Sequence, residues 1–438
     1  MDLAAAYRDH IAKLCAQYDT ALGRCGFDGV VLHSGSAATK TASDDQAWPL
    51  RLAPHFQHWL PLCEPGCAVV YRPGVRPTLH RPDVDDIWEG QPPACDAHVL
   101  SAFEVTGSLP RLGAGRWALI AEGPAPAGLG ALCDGEDVTE LRAALDLSRS
   151  IKTPYEQHCV AMANRTAAVG HVELSRRFAA DDRRDGGDSE LTLHLAYLAA
   201  TRQDDSWTPY KNIVATGRSA AVLHHVHYAT SAAPAETSLL VDAGATFRGY
   251  HSDVTRTAVR GDGADAHAFG ELVDAMDRMQ RAICDEIVPG QPYEQLHDRA
   301  HHHLARLLLD VGLCRGDADE LVHTGVTRAF FPHGLGHSLG LQTHDVGCRP
   351  RPPAATNPYL RNTSAITAGQ VFTIEPGCYF IDALLAPLRQ GPLQQRVEWA
   401  RVEQLAPFGG VRIEDDVLVT TGGHDNLTRA AFAALDDA

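Results

Sequence analysis

Leu239-Leu240-Val241-Asp242-Ala243-Gly244, running on to Tyr250-His251-Ser252-Asp253-Val254-Thr255-Arg256, is the stretch whose reading decides the fold. An apolar run enters, a glycine-containing bend around residues 245–249 turns it, and a run rich in Thr and Val leaves. That pattern predicts a β-hairpin. One aspartate stands on each arm, Asp242 and Asp253, eleven positions apart. A carboxylate in a strand-forming, largely apolar segment is costly to bury unless something positive pairs with it. Two of them close together raise each other's pKa unless a cation lies between. No lysine is near in sequence, so a pair of metal ions is the simplest answer.

Working outward, the chain of 438 residues is too long for one ordinary core and predicts two or three domains. A formal net charge of −17 argues against nucleic acid and against an anionic membrane surface as partners. No apolar run approaches the roughly 20 residues of a membrane span. Met1-Asp2-Leu3-Ala4 lacks a basic segment followed by an apolar one, so no secretory signal is expected. The 11 cysteines are scattered with no Cys-x-x-Cys, which points to reduced, mostly buried thiols in a cytoplasm.

Leu3, Tyr7, Ile11, Leu14, Tyr18 and Leu22 recur every three or four residues and predict an amphipathic helix ending near Gly26. Residues 27–32, 68–71 and 117–121 read as buried strands, and 124–130 as a loop. An α/β N-terminal domain over residues 1–149 follows. Nothing in it clusters like catalytic chemistry, and Asp44-Asp45 before Trp48-Pro49 reads as a loop. Thr153-Pro154-Tyr155-Glu156 has the form of a capping box with proline at the first helical position. It opens a second domain over residues 150–438. A polar loop at 181–188, a helix from Ser189 to about Arg202, and amphipathic helices over 269–283 and 293–309 are expected on either side of the hairpin.

Three further segments stand out. Phe331-Pro332-His333-Gly334-Leu335-Gly336-His337-Ser338-Leu339-Gly340-Leu341-Gln342-Thr343-His344-Asp345 sets three histidines among three glycines, which exclude a comfortable helix and let backbone approach a ligand. In Val371-Phe372-Thr373-Ile374-Glu375-Pro376-Gly377 the proline pushes Glu375 to extended geometry at a strand end. In Gly410-Val411-Arg412-Ile413-Glu414-Asp415-Asp416 a period of two puts Arg412 and Glu414 on one face and Ile413 on the other. Asp242, Asp253, Glu375 and Glu414 with one histidine suit Mn²⁺, Co²⁺ or Mg²⁺ better than a thiolate-rich structural zinc site. Four negative charges balance two divalent ions, and a hydroxide between ions about 3.5 Å apart is then the expected nucleophile.

In this order, those segments resemble the signature of the pita-bread metallopeptidases, which include methionine aminopeptidase, aminopeptidase P and prolidase. The resemblance covers roughly residues 150–438 and is strongest to the bacterial Xaa-Pro dipeptidases. It extends to Pro209-Tyr210-Lys211-Asn212-Ile213-Val214, Ala221-Val222-Leu223-His224 and Leu384-Leu385-Ala386-Pro387. It implies an α+β fold, with a pita-bread catalytic domain behind the smaller α/β domain. It implies two divalent ions per chain, Mn²⁺ first, with Co²⁺ or Zn²⁺ as alternatives. Asp242 would hold one ion, Asp253 and Glu414 would bridge both, and His337 and Glu375 would hold the second. Glu375 would also shuttle a proton, His344 would stabilise the tetrahedral intermediate, and His224 and Tyr210 would line the site. His333 and Arg412 would bind the substrate's C-terminal carboxylate, for which Arg offers bidentate geometry. The loop carrying Asp45 would close the pocket of a neighbouring subunit, which implies a homodimer. Thr255 shares a strand face with Asp253 and is a plausible partner behind it. Ser338 and Thr343 depart from the family pattern, where proline and valine are the commoner residues; neither change removes a ligand.

The implied reaction is cleavage of Xaa-Pro dipeptides, and a hydroxide between two metals would also attack organophosphate esters. Two alternatives are an aminopeptidase P-like trimming of longer peptides and a non-catalytic peptide-binding member of the fold. The filled ligand positions argue against the second, and equally against a metal-free amidinohydrolase. His225 and His227 read as solvated or packed. The helix carrying His297 and His301-His302-His303 reads as a solvated face, and Cys378 as a packing thiol.

Overall fold

Asp2 opens the first helix, its side chain accepting from the N–H groups of Ala4 and Ala5. The helix Leu3–Cys25 runs until Gly26 takes a left-handed φ of 71°. Tyr7, Leu14, Tyr18 and Leu22 form the buried stripe the spacing predicts, and Tyr18 packs edge-on to Trp59 and Tyr71. Behind them lies a mixed sheet of β1 (Gly29–His33), β2 (Ala68–Tyr71), β3 (Thr78–His80), β4 (Glu104–Thr106) and β5 (Trp117–Ile120). The strand order is β4-β3-β2-β1-β5, with β1/β5 and β3/β4 parallel. Val30, Val31 and Leu32 are fully buried on the interior strand β1, as a run covered on both faces requires. The short strands β3 and β4 carry too little pattern to read from sequence.

The chain divides into two compact units, Met1–Glu156 and Gln157–Ala438. A computed structural model describes residues 1–436 apart from 44, 83–94, 110, 123–128, 130–132, 134–136 and 181–186. Asp44 and most of the loops expected at 124–130 and 181–188 lie outside the described residues. The capping box forms as read: the Thr153 N–H donates to Glu156 Oε2 at 2.8 Å, and Thr153 Oγ1 accepts from the Glu156 N–H at 3.4 Å. It starts the helix Pro154–Ala180. Ser189 and Thr192 cap the helix Glu190–Thr201 in the same reciprocal way.

In the C-terminal unit β6 (Ile213–Thr216), β7 (Thr237–Asp242) and β10 (Thr255–Arg260) form one antiparallel sheet. The predicted hairpin is β7 and β10, extended by the short pair β8 (Thr246–Phe247) and β9 (Tyr250–His251). Its turn is narrower than the bend read from sequence: Arg248 and Gly249 alone take positive φ, 51° and 85°, the pairing that a two-residue hairpin loop needs. Asp242 lies opposite Thr255 and Thr246 opposite His251. The same register sets Gly244 against Asp253, so Asp242, Asp253 and Thr255 share one face. Gly244 admits no side chain, because a Cβ there would lie 1.9 Å from the Ser252 carbonyl oxygen.

A second sheet joins β11 (Val371–Ile374), β14 (Asp415–Thr420) and β15 (Gly423–Asn426), and β12 (Gly377–Tyr379) pairs with β13 (Gly410–Arg412). The helices Ala264–Asp285 and Tyr293–Asp310 build the main apolar core with the inward faces of these strands, including Val411 and Ile413. One expectation fails here. His297 and His301 are not on a solvated face; both are buried and pack edge-on to each other and against Phe331. Only His302 and His303 of that tract turn outward, toward Asp319 and Glu286. The polar count misled because two neutral imidazoles pack on the apolar side of that helix.

Candidate metal centre

The glycine-rich histidine loop is laid along β11. The Glu375 N–H donates to Leu335 O, the Thr373 N–H to His337 O, and the Leu339 N–H to Val371 O. That antiparallel register puts His337 and Glu375 on one face. Gly336 is obligatory, since a Cβ would meet Thr373 O at 2.0 Å. Across from it, a single bridge joins Thr255 to Glu414, which brings the end of β13 to the hairpin. Strand ends from four places in the sequence therefore converge.

Asp253, His337 and Glu414 are buried, and each offers a donor atom within 4.8 Å of the other two. His337 Nε2 lies 3.3 Å from Asp253 Oδ2 and 3.6 Å from Glu375 Oε1. Its Nδ1 faces Ser338 O at 3.1 Å, so Nδ1 carries the hydrogen and Nε2 points at the carboxylates. Asp242 accepts from Arg412 at 2.5 Å through Oδ2, while its buried Oδ1 has no hydrogen-bond partner. Glu414 Oε2 accepts from Thr255 Oγ1 at 2.6 Å.

This donor set fits divalent cations. Burial and mutual repulsion push Asp242, Glu375 and Glu414 above the usual carboxylate range, despite Arg412 and, beside Glu375, His337. Burial pulls His337 down, but the Asp253 hydrogen bond and the Glu375 charge outweigh it and lift the ring to about 9. Its proton sits where positive charge is wanted. The orphaned Asp242 Oδ1 and the oxygen-rich donors are what a hard or borderline ion takes.

The remaining residues named from sequence stand at different distances from the cluster. Tyr210 is in the cluster, its hydroxyl donating to Asp253 Oδ1 at 2.5 Å. His344 stands edge-on to His337 with ring centroids 4.5 Å apart. Burial and the facing His337 hold it down at about 3, so it is neutral. His224 is exposed, close enough to add to the lowering of both His333 and His344. His333 and Arg412 meet at one residue the sequence reading passed over, Tyr379: its hydroxyl lies 2.8 Å from His333 Nε2 and 3.0 Å from an Arg412 nitrogen. Arg412 is thus engaged by Asp242, Tyr379 and Thr255 at once. Asp45 belongs to the N-terminal unit, exposed in the loop pinned by a Thr39–Ala47 bridge. Thr343 hydrogen-bonds His251 at 3.0 Å, and the buried Ser338 Oγ makes no hydrogen bond. Cys378 is a fully buried thiol.

Asp416 was also missed. Its Oδ2 accepts from the Asp253 N–H at 3.0 Å and from Asn164 at 2.8 Å, fixing the backbone under Asp253. It stands two positions after Glu414, so the period of two was the available signal. Asp415 faces the other way, paired with Arg256 and Arg429.

Comparison with known proteins agrees with this architecture. The model of metallopeptidase family M24 matches residues 159–421, and that of the Xaa-Pro dipeptidase N-terminal domain matches 5–111. Among curated relatives, a Xaa-Pro dipeptidase of Xanthomonas campestris pv. campestris (strain 8004) is 39% identical, covering 99% of both chains. One from Pseudoalteromonas atlantica is 37% identical, covering 98% of both. Among solved structures, zinc-substituted Escherichia coli aminopeptidase P superposes with a TM-score of 0.71 at 21% identity, over 97% of this chain and 98% of the other. Proline aminopeptidase P II from Yersinia pestis gives 0.71 at 22%, over 98% and 99%. With more than half its length matched and relatives aligned end to end, the chain belongs to metallopeptidase family M24, an α+β pita-bread enzyme with an N-terminal domain of the Xaa-Pro dipeptidase type.

Proposed function

We propose that the chain is a metal-dependent Xaa-Pro dipeptidase, loaded with two divalent ions, Mn²⁺ first with Co²⁺ or Zn²⁺ as alternatives. The observation that carries the proposal is the buried convergence of Asp253, His337 and Glu414 with Asp242 and Glu375, adjoining the His333–Tyr379–Arg412 cluster through the Arg412–Asp242 ion pair. The family match and the end-to-end relatives named Xaa-Pro dipeptidase support it.

In this reading Asp242, Asp253, His337, Glu375 and Glu414 hold the ions. When bound, such ions supply Lewis acidity toward the scissile carbonyl and an acidified water. An Xaa-Pro bond is a tertiary amide without an N–H, so a site that aligns substrate through its carbonyl and its terminus needs no donor from the bond itself. Arg412 and His333, joined through Tyr379, take the C-terminal carboxylate. Glu375, raised toward neutrality by burial, accepts the proton of the attacking water on its carboxylate and returns it to the departing proline nitrogen. His344, neutral, donates its remaining N–H to the oxygen that gains charge. Tyr210 and His224 border the pocket. A homodimer in which the Asp45 loop reaches a neighbouring site completes the reading. A cytoplasmic setting accords with buried thiols such as Cys284, Cys314 and Cys378.

The test is release of proline from Ala-Pro, run beside a longer Xaa-Pro peptide, with Mn²⁺ or EDTA and with Asp253→Asn. Dipeptide cleavage that is lost with EDTA and in the variant is the expected result. Cleavage of the longer peptide alone moves the assignment to aminopeptidase P chemistry.

A further inference from the structure

The N-terminal unit holds a second buried cluster that the active site does not use. His10 lies on the helix Leu3–Cys25, His58 on the helix Pro54–Trp59, and Glu156 in the first turn of the helix Pro154–Ala180. All three are buried, at 1%, 3% and 2% exposure. Each offers a ligand atom within 4.8 Å of the other two. His58 Nε2 is 3.2 Å from Glu156 Oε1, and His10 Nδ1 is 3.8 Å from Glu156 Oε2.

We propose that His10, His58 and Glu156 form a structural site for one borderline divalent cation of the zinc class, separate from the catalytic centre. The spacing fits: tetrahedral ligands at 2.0–2.1 Å stand about 3.3 Å apart. The second observation is His58 Nε2 itself. It is buried, aimed at the Glu156 carboxylate, and not aligned on it as a hydrogen bond requires. A buried polar nitrogen without a hydrogen bond is costly, and a coordinate bond would satisfy it. His10 is oriented as ligating histidines are. Its Nε2 lies 2.8 Å from His58 O; a carbonyl only accepts, so Nε2 carries the hydrogen and Nδ1 turns its lone pair inward. Thr153 Oγ1, 2.9 Å from that Nδ1, donates to its lone pair; the ion would replace this hydrogen bond, with Thr153 Oγ1 or water left for a fourth position. Two imidazoles and one carboxylate favour zinc over manganese. The ion would clip together three helices whose contributing residues stand forty-eight and ninety-eight positions apart, which is why no local motif announces it.

The experiment uses the full chain with Asp253→Asn and Glu414→Gln, which weaken the catalytic centre. This protein is stripped with EDTA, titrated with Zn²⁺ or Co²⁺, desalted and analysed for metal. His58→Gln or, independently, Glu156→Gln is then added; glutamine at 156 keeps the capping box, and circular dichroism checks the fold. The expected result is one Zn²⁺ fewer per chain in each added variant than in the parent, together with loss of the visible absorption of four-coordinate Co²⁺. Zn²⁺ should also raise the parent's melting midpoint but not that of the added variants. Equal metal content in parent and added variants, or a parent with no four-coordinate Co²⁺ signal, overturns the proposal. None of these readouts depends on peptidase activity.

Discussion

Thr255→Val tests whether the buried hydrogen bonds behind the metal centre, rather than the carboxylates alone, set its affinity. Valine keeps the shape of threonine at a position of zero exposure and deletes two contacts. One is the hydrogen bond donated to Glu414 Oε2 at 2.6 Å; the other is the one accepted from Arg412 Nε at 3.1 Å. A buried partner left unpaired costs about 1–3 kcal/mol. Arg412 keeps Asp242 and Tyr379, so its share falls at the low end, and the metal-free protein should lose about 2 kcal/mol. Removing a group that orients a ligand lowers metal affinity about 10–100-fold. In excess Mn²⁺ that adds about 1.4–2.7 kcal/mol by linkage. Urea unfolding of the C-terminal unit, in EDTA and in Mn²⁺, reads both numbers, and calorimetry reads the affinity directly. Thr257→Val is the control: Thr257 Oγ1 bonds only the backbone of Arg412, at 2.9 and 3.2 Å. It should cost about 1 kcal/mol with or without metal. A Thr255→Val cost that is the same in EDTA and in Mn²⁺, or that Thr257→Val reproduces, refutes the reasoning.

Other outcomes follow from the same geometry. Tyr379→Phe removes the hydroxyl between His333 and Arg412; KM for Ala-Pro should rise about tenfold, near the worth of one charge-assisted hydrogen bond, with metal content unchanged. Gly244→Ala drives a Cβ to 1.9 Å from Ser252 O, so the hairpin must deform; soluble yield or the urea midpoint should fall by more than any surface substitution gives. Metal-free stability should fall as pH rises from 7 to 8.5. His337, lifted to about 9, stabilises the fold fully below about 6.5 and ceases to as pH climbs through 9. Glu375, raised to about 7, and Glu414, raised well above its usual range, act in the same sense, whereas Asp242, at about 6, has lost its contribution below this window. Buried histidines such as His171, held at about 4, act oppositely but only below about 6.5. Excess Mn²⁺ should cancel the decline, because its ligands must be deprotonated to bind. Melting scans in EDTA and in Mn²⁺ check this, and a metal-free midpoint that rises with pH over the window counts against the site as described.

What the sequence made legible is what chain-local periodicity encodes. Asp242 and Asp253 could be placed on one hairpin because an apolar run, a bend and a Thr/Val run are all local. The register then decided that they share a face, which needs the turn to fall at Arg248-Gly249. Glu375 was legible because Pro376 fixes the residue before it, and the Thr153–Glu156 box because both partners lie within one turn. Tyr379, Asp416 and the His10–His58–Glu156 cluster were not, for one physical reason. Each acts through a partner that only the folded register supplies: Tyr379 on Arg412 across β12 and β13, Asp416 on the Asp253 backbone, Glu156 on two other helices. Histidine misled for the related reason that its role depends on surroundings. His297 and His301 look polar in the sequence, yet burial lowers both, His297 to about 4 and His301 to about 2, and makes them packing rings. His337, equally buried, is lifted to about 9 by the carboxylates it faces. The same side chain is thus core or cation-site according to what the opposite strand presents, and no window along the chain contains that strand.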